Sequence, residues 1–235
     1  MESRYNTLVS IIIPVLNEEE GIADQLKYLM AHGKEAEIIL VDGGSDDSTV
    51  AIAQDFPVKI YSSGKGRAAQ MNLGAQKASR DILYFLHADA KPPETFIEDI
   101  YSSLLQGFDA GCFKMDFQDG PVLMKLNGFL SKFNMGWTGG GDQSLFLFKS
   151  VFEEIGGFDE NFTIMEDFDI VDRLKNYGKF QVINNDIKVS TRKYNQNSYL
   201  KVQCANILVY NMYRLGYSQE QLTNTYQRML NDIRH

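Results

Sequence analysis

The sequence predicts an α/β fold with a mostly parallel central sheet, helices on both faces, antiparallel edge strands and C-terminal helices. Three observations predict it. Short apolar runs of strand length alternate with amphipathic stretches of helical period up to residue 92, the pattern of successive βα units. Each run stops abruptly in a loop of Asn, Asp, Gly or Pro. The stretch 199–235 has helical patterning without an intervening strand. With 235 residues, 44% of them hydrophobic and 12% aromatic, the chain has ample material for one large packed core.

The first half is read as four βα repeats. Residues 8–15 are a continuous apolar run, and 18–30 a helix with Ile22, Leu26, Leu29 and Met30 on one face. Residues 37–41 form the second strand. The loop Asp42-Gly43-Gly44-Ser45-Asp46-Asp47-Ser48 ends in an N-cap for a helix over 49–55. Residues 58–61 are a third short strand, 62–66 a glycine loop, and 67–77 a helix with Ala68, Met71, Ala75 and Ala78 on one side. The fourth strand, 82–86, halts at His87, Ala88 and Asp89, and Pro92 and Pro93 forbid its continuation.

The second half is mixed. A helix over 95–105, a strand over 110–117, a helix over 121–133 and a glycine-rich loop over 137–142 lead to a strand over 143–148 and a short helix over 151–155 closed by Gly156-Gly157. A helix over 166–177 turns Ile170, Val171, Leu174 and Tyr177 inward, and strands are expected at 180–183 and 187–190. A strongly apolar helix runs over 199–215, and Ser218 opens another with a capping-box partner at Gln221. The expected division is one large domain over 1–195, in two halves, 1–92 and 93–195, with a helical extension over 196–235 packed on it.

Charge and cysteine content narrow the function. A formal net charge of -8 without a Lys/Arg block argues against nucleic acid as a partner. Cys112 and Cys204 lack metal-type spacing and read as reduced thiols of a cytoplasmic protein. Residues 1–7 are polar and do not form a signal peptide, and no apolar run reaches the roughly 18 to 20 residues of a membrane span.

Three constellations carry chemistry. Asn17/Glu18, then Asp42, Asp46 and Asp47, then Asp89 recur at strand ends, where carboxylates suit base, ribose and hard-cation recognition. Each is singly an ordinary cap or turn residue, and the recurrence is the signal. Gly64-Lys65-Gly66-Arg67-Ala68-Ala69 opens a helix after a strand, as a phosphate-binding loop or as a plain turn. Asp167, in Met165-Glu166-Asp167-Phe168-Asp169, falls on the covered side of its helix and is a candidate general base, while Glu166 suits the helix dipole. Gly139 to Gly141 with Asp142 and Gln143 would let a substrate approach closely. His87 is either a structural residue or a ligand beside Asp89, the two side chains sharing one side of an extended chain.

In order along the chain, Ile13-Pro14-Val15-Leu16-Asn17-Glu18-Glu19, Val41-Asp42-Gly43-Gly44-Ser45-Asp46-Asp47-Ser48-Thr49, Gly66-Arg67 with Asn72 and Gly74, His87-Ala88-Asp89, and Gly156-Gly157-Phe158-Asp159-Glu160 leading to Glu166-Asp167 resemble the family 2 glycosyltransferases of the GT-A, Rossmann-like fold. His87, Gly140-Gly141-Asp142-Gln143 and Ser190-Thr191-Arg192-Lys193-Tyr194 resemble the radical-SAM/selenodomain-associated transferase 2 subgroup. The resemblance implies a non-processive, inverting transfer of sugar from a nucleoside-diphosphate sugar to an acceptor hydroxyl on a saccharide or lipid-linked molecule. It implies that Pro14, Asn17, Glu18, Asp42, Arg67, His87 and Ala88 border the donor, that Asp89 binds a divalent cation, Mg²⁺ or Mn²⁺, and that Asp167 is the base. Gly141, Asp142, Gln143, Glu166 and Arg192 fall on the acceptor side. Two departures stand out: Gly43 replaces a second acid after the second strand, and His87 replaces the first acid of the usual D-x-D. A dinucleotide-dependent oxidoreductase and a non-catalytic nucleotide-binding protein are the other classes. The helix over 199–215 is expected to cover the sheet, with a second subunit or a membrane surface as alternative neighbours.

Overall fold

The structure, a computed structural model, describes residues 8–33, 35–116, 144–189 and 199–230. Its strands are β1 (Val9–Val15), β2 (Glu37–Asp42), β3 (Lys59–Ser62), β4 (Ile82–Leu86), β5 (Ala90–Lys91), β6 (Ala110–Asp116), β7 (Ser144–Phe148) and β8 (Phe180–Val189). Its helices, numbered along the chain, are α1 (Ile22–His32), α2 (Thr49–Ala53), α3 (Arg67–Lys77), α4 (Phe96–Leu105), α5 (Lys149–Glu154), α6 (Glu166–Tyr177), α7 (Tyr199–Arg214) and α8 (Gln219–Met229).

These strands join in one sheet of order β3-β2-β1-β4-β7-β6-β8-β5. The half β3-β2-β1-β4 is parallel throughout, as short apolar runs joined by helical crossovers require. Beyond β4 the strand β7 runs antiparallel to both neighbours, β6 and β8 pair in parallel, and β5 closes the edge antiparallel to β8. Winding departs from β1 in both directions, towards β2 and towards β4. The carboxyl ends of β1 and β4 therefore flank a topological switch point, where open α/β sheets bind ligands.

The period of two along β1 divides the core. Val9, Ile11, Ile13 and Val15 pack with Ile22, Leu26 and Leu29 of α1 and with Phe96 and Ile100 of α4. Ile12 faces the other way, into a cluster with Ala68, Met71 and Ala75 of α3 and Ile170, Val171 and Leu174 of α6. Both faces are covered, so the central strands are apolar throughout rather than alternating. A third cluster joins Val202, Ala205 and Val209 of α7 to Leu222 and Tyr226 of α8 and to Ile164.

Several details differ from the sequence reading. The two strands expected at 180–183 and 187–190 are one strand, β8, whose pairing with β6 shifts register at Phe113/Lys114. β5 was not expected at all. Met30 and Tyr177 are exposed rather than inward; Gln25 takes the buried place on α1, and the Tyr177 hydroxyl donates to Glu154 at 2.7 Å. The helix expected over 121–133, the loop over 137–142 and the site residues Gly141, Asp142, Gln143 and Arg192 lie outside the described residues. Cys112 is buried, with its thiol pushed up to about 12 by burial, and Cys204 is exposed; both are free thiols.

Candidate active site

The loops after β1 and β2 are bonded to each other. Asn17 stands at a φ of 54°, a left-handed conformation that Asn tolerates better than most residues. There its N–H donates to Ser45 Oγ at 2.9 Å, and its side-chain oxygen accepts from the Asp46 N–H at 2.9 Å. The Glu18 N–H donates to Thr49 Oγ1 at 2.7 Å. Asp42 is buried and gathers the turn beneath it, accepting from the Gly44 and Ser45 N–H groups and, at 2.6 Å, from Ser45 Oγ. Asp42 thus performs the turn-building task that the sequence reading gave as its ordinary alternative. Pro14 is half-buried and pairs in register with Val41 at the end of β1.

Gln70, on α3, ties the two strand ends together: its amide donates to the carbonyls of Val15 at 2.9 Å and Val41 at 2.7 Å. A Cβ at position 43 would stand 3.1 Å from the Gln70 side-chain amide. Gly43 accordingly leaves room for the Gln70 side chain between the two strand ends. Sequence reasoning passed over Gln70, and its only signal was a polar residue on the buried side of an Ala-rich helix.

After β4 the chain turns instead of extending. The Ala90 N–H donates to the His87 carbonyl at 3.1 Å, so His87, Ala88 and Asp89 lie in a tight turn, which corrects the extended reading of His87 and Asp89. Helix α1 braces this turn from behind, with the buried Gln25 amide donating to the Ala90 carbonyl at 2.7 Å and the Tyr28 hydroxyl to the Pro92 carbonyl at 2.6 Å. Ala88 is buried and Asp89 half-buried.

The amino ends of α3 and α6 meet beside this turn. Each follows a left-handed residue, Gly66 at a φ of 133° and Met165 at 70°. Arg67, the first residue of α3, donates from Nη1 to Glu166 Oε1 at 3.1 Å and stands 3.7 Å from Asp167 Oδ2. His87 Nε2 is 4.0 Å from the same Asp167 oxygen. The Arg67 side chain is 41% exposed, against 4% for Glu166, 6% for Asp167 and 13% for His87. An anion entering from solvent therefore meets the guanidinium first, with the carboxylates behind it. Burial, and then the charge of Arg67, push the His87 imidazole well below its ordinary value of 6.5, so it is neutral at pH 7.

Asn72 fastens α3 to the loop at 156–160. Asn72 donates to the Phe158 carbonyl and to Glu160 and accepts from the Phe158 N–H, each at 2.9 Å. Among the described residues, no three His, Cys, Asp or Glu side chains converge as a ready-made metal cage. Asp89 nevertheless offers one hard oxygen ligand at the switch point. Such a donor set fits Mg²⁺ or Mn²⁺ held jointly with substrate phosphates, since Mg²⁺ sites commonly use one or two carboxylates plus phosphate oxygens.

Comparison with known proteins bears on the chain's family and on its fold. The sequence model of "Glycosyl transferase family 2" matches residues 10–152. The glycosyltransferase AglE of Haloferax volcanii is 29% identical over 172 residues, 64% of this chain and 55% of that protein. The undecaprenyl-phosphate 4-deoxy-4-formamido-L-arabinose transferase of Edwardsiella ictaluri is 29% identical over 124 residues, 47% of this chain and 38% of that protein. The chain thus spans about half or less of the length of these relatives. Among solved structures, the mannosyltransferase PcManGT of Pyrobaculum calidifontis, in complex with GDP-Man and Mn²⁺, superposes with a TM-score of 0.67 at 17% identity, covering 94% of this chain and 69% of that one. At that identity the likeness speaks to the fold.

Proposed function

The chain belongs to glycosyl transferase family 2, and from that premise we propose that it moves single sugars from a nucleoside-diphosphate sugar to an acceptor hydroxyl with inversion, using Asp167 as general base. The observation that carries this reading is the Asp167 carboxylate, buried beside Arg67 and His87 at the edge of the β1/β4 crevice. The complex of PcManGT with GDP-Man and Mn²⁺ supports a nucleotide-sugar donor and a divalent cation.

In this mechanism the loops after β1 and β2, with Pro14, Asn17, Glu18 and Asp42, border the nucleoside. Arg67 faces the diphosphate and lowers the cost of its charge. Asp89 is the residue that would hold a divalent cation, Mg²⁺ or Mn²⁺, which when bound neutralises charge on the leaving diphosphate. The neutral imidazole of His87, with Ala88, forms the wall beside that group without adding charge of its own. Asp167 takes the proton from the acceptor hydroxyl as its oxygen attacks the anomeric carbon from the face opposite the diphosphate. Glu166, bonded to Arg67, keeps the guanidinium at the mouth of the site.

The acceptor reading is a saccharide or a lipid-linked molecule, the latter supported by the undecaprenyl phosphate in the Edwardsiella relative's name. No helix among the described residues is long and apolar enough to cross a membrane. Ile207, Leu208, Leu215 and Tyr217 are exposed on α7 and the turn after it, which suits peripheral contact with a membrane or a second copy of the chain. We place the enzyme in the cytoplasm. Within the family we assign it to the radical-SAM/selenodomain-associated transferase 2 subgroup, on His87 and the motifs at 140–143 and 190–194.

A positioned base contributes roughly 10² to 10⁴ in rate. Asp167→Asn is therefore expected to lower nucleoside-diphosphate release from UDP- and GDP-sugars by about that factor, with nucleotide affinity nearly unchanged. Equal loss of affinity and turnover, or unchanged turnover, removes Asp167 from the role. Asp89→Ala is expected to abolish the Mn²⁺ dependence of UDP or GDP binding measured by calorimetry, and an identical titration with and without chelator contradicts its assignment.

A further inference from the structure

We propose that Gln219, the first residue of the C-terminal helix α8, is a positioning residue for the Asp167 carboxylate; this rests on the reading of Asp167 as the general base. Its side-chain oxygen accepts two backbone hydrogen bonds from the segment just before α6, from the Thr163 N–H at 3.0 Å and the Ile164 N–H at 3.2 Å. The next residue, Met165, stands in the left-handed region at a φ of 70°, and Glu166 and Asp167 follow it. A methionine adopts that conformation only where its surroundings over-determine it.

The surroundings come from the C-terminal hairpin. Ile164 is buried against Val202 and Val209 of α7 and Leu222 and Tyr226 of α8, and Met165 packs on the same cluster. Gln219 is itself held in place: Ser218 Oγ accepts from the Gln221 N–H at 3.3 Å while the Ser218 N–H donates to Gln221 Oε1 at 3.0 Å, a reciprocal cap that defines where α8 begins. Arg214 at the end of α7 pairs with Asp172 of α6 at 3.1 Å, so the hairpin grips α6 on both sides of its first turns. The Met165 carbonyl then accepts the Asp169 N–H at 3.1 Å, the bond that starts the helix on which Asp167 rides.

The hairpin lies beyond the region that the family's sequence model matches, residues 10–152. Its grip on 163–165 nonetheless sets the direction in which the Asp167 carboxylate points. A displacement of about 1 Å at a reacting group can cost 10²-fold in rate, so loss of the two Gln219 bonds reaches turnover without touching the nucleotide loops.

The test uses Gln219→Met, which keeps length and loses the acceptor, and Gln219→Glu, which keeps an acceptor oxygen. Gln219→Met is expected to lower kcat for nucleoside-diphosphate release at least tenfold, to leave the Kd for UDP or GDP with Mn²⁺ within twofold, and to speed hydrogen exchange at the Thr163, Ile164 and Asp169 amides. Gln219→Glu is expected to restore all three to within about threefold of wild type. Faster exchange confined to Thr163 and Ile164, with Asp169 unchanged, overturns the proposal, as does a Gln219→Met enzyme with wild-type kcat or a Gln219→Glu enzyme that rescues nothing. Asp167→Asn, run in parallel, separates the two claims: full turnover there defeats the base assignment, whereas its loss alongside an unaffected Gln219→Met defeats only the positioning role.

Discussion

His87 is the residue whose chemistry the sequence left open and whose setting the structure defines. It is no cation at neutral pH: burial, followed by the Arg67 charge, holds its imidazole well below 6.5. A group with a depressed folded pKa takes a proton in the unfolded chain first, so its contribution to stability is full above about 6.5 and declines as pH falls towards the folded value. The slope approaches about 1.4 kcal/mol per pH unit for one proton. His87→Gln should therefore lose less stability than wild type between pH 6.5 and 5, read as midpoints of thermal unfolding; parallel curves contradict the buried neutral imidazole. At the same scale, the burial of Asp167 was legible because it stands at the start of an amphipathic helix and turns towards its apolar face. Gln25, Gln70 and Gln219 were not, because a glutamine that satisfies backbone groups leaves no mark in hydrophobic periodicity.

Elements were legible wherever a run was long and its ends were marked. β1, β2, β4 and α3 stand close to where their apolar periods and stop residues put them, since a parallel strand covered on both faces must be apolar throughout. β5 was invisible, because two residues carry no period and Ala90 and Lys91 are defined only by pairing with Val189 and Lys188 across the sheet. β8 looked like two strands because the polar Asn184, Asn185 and Asp186 interrupt its apolar pattern, whereas the register shift at Phe113/Lys114 absorbs Asn184 and Asn185 within one strand and Asp186 pairs with Lys114. Helix α3 packs closely against β1, where a Cβ on Gly74 would come within 2.3 Å of Ile12 Cγ2. Gly74→Ala is expected to destabilise the protein by about 1–3 kcal/mol through overpacking, measured by denaturant unfolding. A neutral or stabilising effect, as an ordinary helical Gly→Ala change would give, contradicts the close packing.

At the scale of the molecule, a chain of net charge -8 sets one half-exposed guanidinium in front of buried carboxylates. That arrangement favours a compact anion delivered to a defined place over an extended polyanion, as the absence of a basic stripe already implied. The glycine loop before α3 admitted a dinucleotide reading from sequence alone, but that fingerprint belongs after the first strand at the switch point between β1 and β4, whereas this loop leaves the edge strand β3 and reaches the site only at its end, through Arg67. The division of labour could not be read from spacing, because the groups around Arg67 come from α3, the end of β4 and α6, which only the folded sheet brings together. The measurement that bears most directly on the account is a thermal-unfolding panel with UDP, GDP and NADH, each with and without Mn²⁺. A ligand at about 100 times its Kd stabilises by about 2.7 kcal/mol, a rise of roughly 5–10 °C for a chain of this size. The account predicts that rise for UDP or GDP only with Mn²⁺, and its loss in Asp89→Ala; stabilisation by NADH instead, or by the nucleoside diphosphate irrespective of metal, would contradict it.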